Sequence, residues 1–341
     1  LQKITIAVDA MGGDVGPLVT VPAVAQALNF YPHLNITLFG DKQLINSLLV
    51  AHNLAQHPRL TFIHTTQVVT ANDKPLTALR SRRQSSMRLA LDMVHQHQAD
   101  ACVSAGNTGA LMAMAKVVLK LLPGIERPAL VSHLPEENGK GSFLLDLGAN
   151  SSCDSDVLMQ FAVMGAALAE SVWQLDSPRV ALLNIGEEQI KGNDVVKQTA
   201  QLLENSSSIN YIGFVEGNQI FSGKADVIVC DGFVGNIALK TAEGVSQLIL
   251  SKLKKQFDVN WFARFVLKLF LPSLKSQLKQ LNPDQYNGAS LLGLRGIVIK
   301  SHGHADEEAF LQAIHQAVAE IQQQVPSRIT DKLESLLIDK H

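Results

Sequence analysis

The sequence predicts a three-layer α/β fold on a mostly parallel sheet, and three observations carry that expectation. Short β-rich apolar runs recur down the 341-residue chain. Most are unbroken, as strands covered on both faces require, and stretches of helical periodicity lie between them. No Pro/Gly/Ser-rich linker and no repeat cuts the chain, so residues 1–341 read as one α/β unit.

In order, a strand over residues 4–8 runs into Asp9-Ala10-Met11-Gly12-Gly13-Asp14. Strands over 36–39 and 60–63 follow, then an amphipathic helix over 86–97. The strand over 101–103 enters Ser104-Ala105-Gly106-Asn107-Thr108-Gly109 ahead of a helix over 108–121. The strand over 143–145 ends in Asp146-Leu147-Gly148-Ala149-Asn150, with a helix over 155–170 beyond. The strand over 180–183 meets Asn184-Ile185-Gly186-Glu187-Glu188 and then Lys191-Gly192-Asn193. After a strand over 209–214, the one over 227–230 leads into Asp231-Gly232-Phe233-Val234-Gly235-Asn236. The last, over 297–299, meets Lys300-Ser301-His302-Gly303, and a helix over 305–323 follows. The carboxyl ends of parallel strands share an edge where ligands bind, so six small, polar loops are expected along one edge. One such loop is an ordinary capped turn; six exceed what packing needs.

Composition narrows the function. With 46% hydrophobic residues and 18% charged, the chain can build a large core. A balance of 29 basic against 31 acidic residues, net −2, provides no global field for nucleic acid. No apolar run is long enough to span a bilayer, and the first residues read as a strand rather than a signal peptide. Cys102, Cys153 and Cys230 are unclustered, which argues for a reducing cytosol and against disulfides or a zinc site.

The loops suit anions more than covalent catalysis. Gly-rich turns feeding helix N-termini present backbone N–H groups to phosphate or to an oxyanion. Ser104–Gly109 is the best of them, with Asn107 or Thr108 as the helix cap, and Gly12-Gly13-Asp14 is second. Neither matches a dinucleotide or P-loop fingerprint, and no nucleophile elbow occurs. Lys191, set among glycines, is either a solvated lysine or a group that polarises a carbonyl. Asn236 is either a helix cap or an oxyanion donor. His302 directly follows the last strand, whereas the other histidines are scattered. Arg80, Arg82, Arg83 and Arg88 flank a helix start at Ser85-Ser86 and form either a solvated charge run or an anion site.

Residues 252–281 break the rhythm. Seven basic residues against Asp258 alone give 7 − 1 = +6, interleaved with aromatics that include Trp261, Phe262, Phe265 and Phe270. Pro272 divides the segment into two arms, as in an amphipathic helical hairpin. Such a surface suits either an anionic membrane or a dimer core.

Together the six loop motifs resemble the bacterial phosphate acyltransferases of phospholipid synthesis, the PlsX type, and the resemblance runs nearly end to end. Asn287-Gly288-Ala289-Ser290 departs from that family's commoner Gly-Gly-Ala-Pro. The resemblance implies transfer of a long-chain acyl group from acyl carrier protein to inorganic phosphate, the product passing to a membrane-bound glycerol-3-phosphate acyltransferase. It also implies a fold related to phosphate acetyltransferases and isocitrate dehydrogenases, a homodimer, a cytoplasmic enzyme peripheral to the membrane through 252–281, and no cofactor or metal.

On that reading Lys191, Asn236, His302 and Asp231 are catalytic. Phosphate and substrate lie against Asp9, Gly12, Gly13, Asp14, Ser104, Gly106, Asn107, Thr108, Gly109 and Asn150. Arg80, Arg82 and Arg83 meet the carrier, and Trp261, Phe262, Phe265 and Phe270 meet the membrane. The acyl chain is expected beside 252–281. The alternatives are a membrane-recruited scaffold for lipid enzymes and a nicotinamide-dependent dehydrogenase on a related fold.

Overall fold

A computed structural model of the chain describes residues 3–137, 139, 141–258 and 288–338. Its elements are β1 (Ile4–Asp9), α1 (Pro17–Phe30), β2 (Leu34–Gly40), α2 (Lys42–Ala51), β3 (Leu60–His64), α3 (Pro75–Ser81), α4 (Ser86–His95), β4 (Ala101–Ser104), α5 (Thr108–Leu119), β5 (Ala129–Leu134), β6 (Ser142–Leu145), α6 (Ser155–Trp173), β7 (Val180–Asn184), α7 (Asp194–Glu204), β8 (Tyr211–Glu216), β9 (Val227–Val229), α8 (Gly232–Asp258), β10 (Ala289–Leu292), β11 (Ile297–Lys300), α9 (Glu307–Gln322) and α10 (Val325–Ile338). The proposed hairpin arms beyond residue 258, with Trp261, Phe262, Phe265 and Phe270, lie outside the described residues.

The helices begin where short polar side chains can accept the first unpaired N–H groups. Asp41, Ser85, Asn107, Asp154, Asn193 and Asp306 cap α2, α4, α5, α6, α7 and α9 in this way. Of the two caps open for α5, Asn107 is therefore the one used. Helices cover both sides of the sheet. Ile6, Val8, Leu38 and Ile299 pack with α1, α2 and α9 on one side, and Cys102 with α4 and α5 on the other. Farther along, Phe143, Leu182 and Val229 pack with α6, α7 and α10.

The strands form one 11-stranded sheet in the order β3-β2-β1-β4-β11-β10-β5-β6-β9-β7-β8. Seven of its ten pairings are parallel and three antiparallel, so the mostly parallel expectation holds. The single ligand edge does not. β10 runs antiparallel to β11 and to β5, and β5 runs antiparallel to β6. The β6–β9–β7–β8 half thus points opposite to the β3–β2–β1–β4–β11 half. Loops after β1, β4 and β11 form one cluster, and those after β6, β7 and β9 form another. The reversal rests on β5 and β10, the two strands absent from the sequence reading. β5 follows Pro128, and the four residues of β10 follow Gly288 at φ 115°, a turn-like position.

Candidate active site

The first cluster is built on one row of the sheet. Ser104 pairs with Asp9 across β1 and with Lys300 across β11. Its hydroxyl donates to Asp9 Oδ2 at 2.7 Å and accepts from Gly106 N–H at 3.1 Å. Asp9 is buried, and its other oxygen accepts from Met11 N–H at 3.2 Å. Burial pushes the Asp9 carboxyl up, while Ser86, Ser104 and the Met11 and Gly12 amides oppose that shift. Asp9 therefore anchors the two glycine loops from below. At Gly12 a Cβ would sit 2.5 Å from Gly106 N, so backbone lies on backbone, and Asp14 N–H donates to Gly303 O at 2.9 Å. Asp14 also pairs with His304.

Thr108 and Gly109 open α5 with N–H groups that no preceding helical turn can satisfy. Asn107 is occupied at both ends of its amide. Its oxygen caps α5, and its nitrogen donates to the carbonyls of Thr70, Ala71 and Asp73 at 3.4, 2.8 and 3.2 Å. This ties the segment before α3 to the Ser104–Gly109 loop and brings the arginine rim beside it. Arg80 and Arg83 are exposed there, whereas Arg82 pairs with Asp73 at 3.3 Å.

The second cluster is built around Asp146. Its buried carboxylate accepts from the amides of Leu130, Ala149 and Asn150 and from the Asn150 side chain, at 2.7–3.0 Å. Burial nonetheless pushes its carboxyl up. Asn150 also donates to Pro128 O at 2.8 Å, so its side chain holds the loop. Asp231 accepts from Val234 N–H at 2.8 Å and thereby caps α8. Asn236 lies inside the first turns of α8, exposed and against Gly148, and is not the cap. Lys191 is exposed on a loop closed by Asn184, whose amide donates to Gly186 O at 3.1 Å and Lys191 O at 3.3 Å. Gly192 has φ 91°, and a Cβ there would lie 2.3 Å from Asn184 Oδ1.

Helix α8 joins the clusters. Asn236, Lys240 and Glu243 are spaced i, i+4, i+7 and so share one helical face. Asn236 stands at the second cluster. Glu243 pairs with Lys240 at 2.7 Å and reaches His302 of the first at 3.6 Å. Buried Lys300 completes this side, its amine donating to Ala105 O at 3.4 Å. Burial lowers its pKa to about 8, against the attraction of Asp9.

Asn184, Lys240, Glu243 and Lys300 were not among the residues singled out from sequence. Asn184 and Lys300 carried a signal, since each is the polar residue closing an apolar strand. Among the described residues no three His, Cys, Asp or Glu side chains group to hold a metal ion. Nor is any helix among them long and apolar enough to cross a membrane.

The family model described as "Fatty acid synthesis protein" matches residues 4–328. Proteins named "Phosphate acyltransferase" from Shewanella halifaxensis and Shewanella woodyi are 58% and 57% identical over 339 residues, covering 99% of this chain and of each relative. The EutD phosphotransacetylase of Staphylococcus aureus superposes with a TM-score of 0.61 at 17% identity, covering 94% of both chains. A phosphotransacetylase from Streptococcus pyogenes gives 0.59 at 18% identity, covering 92% of this chain and 94% of that one. At such identities these two structures speak for the fold alone.

Proposed function

The chain belongs to the phosphate acyltransferases of fatty acid and phospholipid synthesis, and from that membership we propose that it moves a long-chain acyl group from acyl carrier protein to inorganic phosphate. A phosphate oxygen attacks the thioester carbonyl carbon, the carbon–sulfur bond breaks, and the proton of HPO₄²⁻ ends on the departing thiolate. The products are acyl phosphate and the free carrier thiol. HPO₄²⁻ is already nucleophilic at neutral pH and a thiolate leaves readily, so positioning and oxyanion stabilisation are sufficient.

The observation that carries this reading is the α8 face bearing Asn236, Lys240 and Glu243, which runs from one loop cluster to the other. Phosphate rests on the Ser104–Gly109 and Gly12-Gly13 loops, with Lys300 as countercharge. Lys191 and Asn236 polarise the thioester carbonyl, and His302, oriented by Glu243, takes the proton from the attacking phosphate and passes it to the leaving sulfur. Asp9, Asp14, Asp231, Asn107 and Asn150 hold the loops that present these groups. Arg80 and Arg83 meet the acidic carrier protein.

In the same reading the enzyme works as a homodimer at the cytoplasmic face of the membrane, with residues 252–281 touching lipid. Its acyl phosphate passes to a membrane-bound glycerol-3-phosphate acyltransferase. The names of the relatives favour neither the scaffold nor the dehydrogenase alternative.

The test is thiol release from palmitoyl-acyl carrier protein with and without inorganic phosphate, using hydroxylamine to trap the product. Phosphate-dependent release with hydroxamate formation is expected. Release that ignores phosphate, or none from a folded enzyme, overturns the reading.

A further inference from the structure

We propose that the cleft between the Lys191 loop and the first turns of α8 is the seat of the donor's acyl chain. This rests on the acyltransferase reading above and adds to it the place where the hydrocarbon goes. The cleft has a volume of about 890 Å³, within the ~300–1,000 Å³ usual for small-molecule sites. Gly192 and Asn193 of the Lys191 loop line one side, and Val234, Ile237 and Ala238 of α8 line another. A thioester carbonyl held by Lys191 therefore has this space directly beside it.

The walls are hydrocarbon, contributed by Leu158, Leu182, Val196, Ile220 and Val229 among others. Polar side chains also border the cleft, and Asn184, Asn193, Asp231 and Glu216 among them make hydrogen bonds within the protein. Asn184 donates to Gly186 O and Lys191 O, Asn193 accepts from Val196 N–H, Asp231 accepts from Val234 N–H, and the Glu216 side chain closes a capping box with Gln219. With those groups occupied, the cleft selects for an apolar ligand.

Its rim is apolar too. Ile185 is 80% exposed and Ile237 51% exposed, and both line the opening. Exposed isoleucines at the mouth of an apolar cleft fit a chain that slides in from outside. The sequence-based expectation put the chain beside residues 252–281; the described residues offer this place instead. Burial pushes the thiol of Cys153, another wall residue, up to about 12, so it does not compete for the thioester as a nucleophile.

Two measurements test the inference. In the first, the wild-type enzyme is photolysed with palmitate carrying a diazirine at its far end, and the labelled peptides are mapped. Label on peptides containing Leu158, Val196 or Ile220 is expected; label confined to residues 252–281 overturns the placement.

In the second, half-buried Val196 and Ala238 are enlarged separately, as Val196→Trp and Ala238→Phe, with circular dichroism verifying folding. Each should weaken binding of the fluorescent fatty acid cis-parinaric acid at least tenfold, since every buried methylene is worth about fourfold in affinity. Each should also lower the ratio of palmitoyl to butanoyl transfer by a similar factor. Folded variants that keep both properties sink the proposal. Fatty-acid binding and crosslinking do not require phosphate, so failure of the acyltransferase reading would show separately, as absence of phosphate-dependent release in the wild type.

Discussion

Asp9 and Lys300 flank Ser104 in one row of the sheet, a carboxylate and an ammonium buried beneath the same pair of glycine loops. Burial raises the first and lowers the second to about 8, and the nearby Asp9, Asp14 and Lys240 modulate Lys300. Lys300 is therefore charged at pH 7 and neutral above its shifted value. Phosphate affinity should fall about tenfold between pH 7 and 9.5, which KM for phosphate measures. Lys300→Met should bind phosphate weakly at both pH values. The stability sign runs the other way. Between about 8 and the ordinary 10.5 the unfolded chain holds the extra proton, so wild-type stability rises with pH there and that of Lys300→Met does not.

Two glycines of α8 should respond oppositely to alanine. At Gly235 a Cβ would lie 1.9 Å from the Asp146 carbonyl oxygen, and backbone cannot yield there. Gly235→Ala should cost about 1–3 kcal/mol and lift Asn236 off Gly148, lowering turnover at least tenfold. At Gly244 a Cβ meets nothing within 4 Å, so Gly244→Ala should stabilise by about 0.5–1 kcal/mol through helix propensity. Urea denaturation with turnover on palmitoyl-acyl carrier protein checks both, and equal effects would reject the packing argument.

Lys191→Ala and Asn236→Ala should each lower kcat about 10²-fold or more, the range of a lost oxyanion donor. Asn184→Ala tests positioning, because it leaves Lys191 in place but frees the carbonyls of Gly186 and Lys191. It should lower kcat about tenfold with little change in KM. Wild-type kcat in all three would move the chemistry elsewhere.

The strand ends carried most of the legible signal. Asp9, Ser104, Asp146 and Lys300 each close an apolar run, and each holds a loop together. What the sequence could not convey was direction. β5 and β10 begin directly after Pro128 and Gly288, and without them nothing signals that half the sheet is reversed. Nor does spacing distinguish a ligand contact from an anchor. Asn107 and Asn150 lie in loops whose sequence suggests phosphate ligands, yet their amides are engaged by neighbouring carbonyls. The α8 stripe was hidden for a different reason, since Lys240 and Glu243 gain meaning only once His302 is beside them.

Arg80 and Arg83 are exposed on the rim that Asn107 ties to the Ser104–Gly109 loop, whereas Arg82 is held by Asp73. Arg80→Glu with Arg83→Glu should raise KM for the carrier substrate about tenfold at low salt and flatten its salt dependence, with kcat little altered. Arg82→Ala should instead loosen the segment before α3 and lower the melting temperature. Unchanged salt dependence in the double variant would place the carrier on another face.

Ser290 donates a hydrogen bond to buried Glu320 of α9, and Gln316 donates to the same carboxyl oxygen at 2.8 Å. Those two neutral groups oppose the shift, but burial prevails and pushes Glu320 up from 4.5 to about 7. The native state thus holds a proton that the unfolded chain has already released. Stability from this group is complete below about 4.5, declines as pH rises, and is gone by about 7, a loss of roughly 3 kcal/mol. Glu320→Gln keeps an acceptor for Ser290 and removes the titration. It should match the wild type near pH 4.5 and exceed it at pH 8 in urea denaturation. Ser290→Ala, lacking a donor to the charged form, should fall below the wild type at pH 8. If the difference between Glu320→Gln and wild type is the same at both pH values, burial is not what sets this carboxyl.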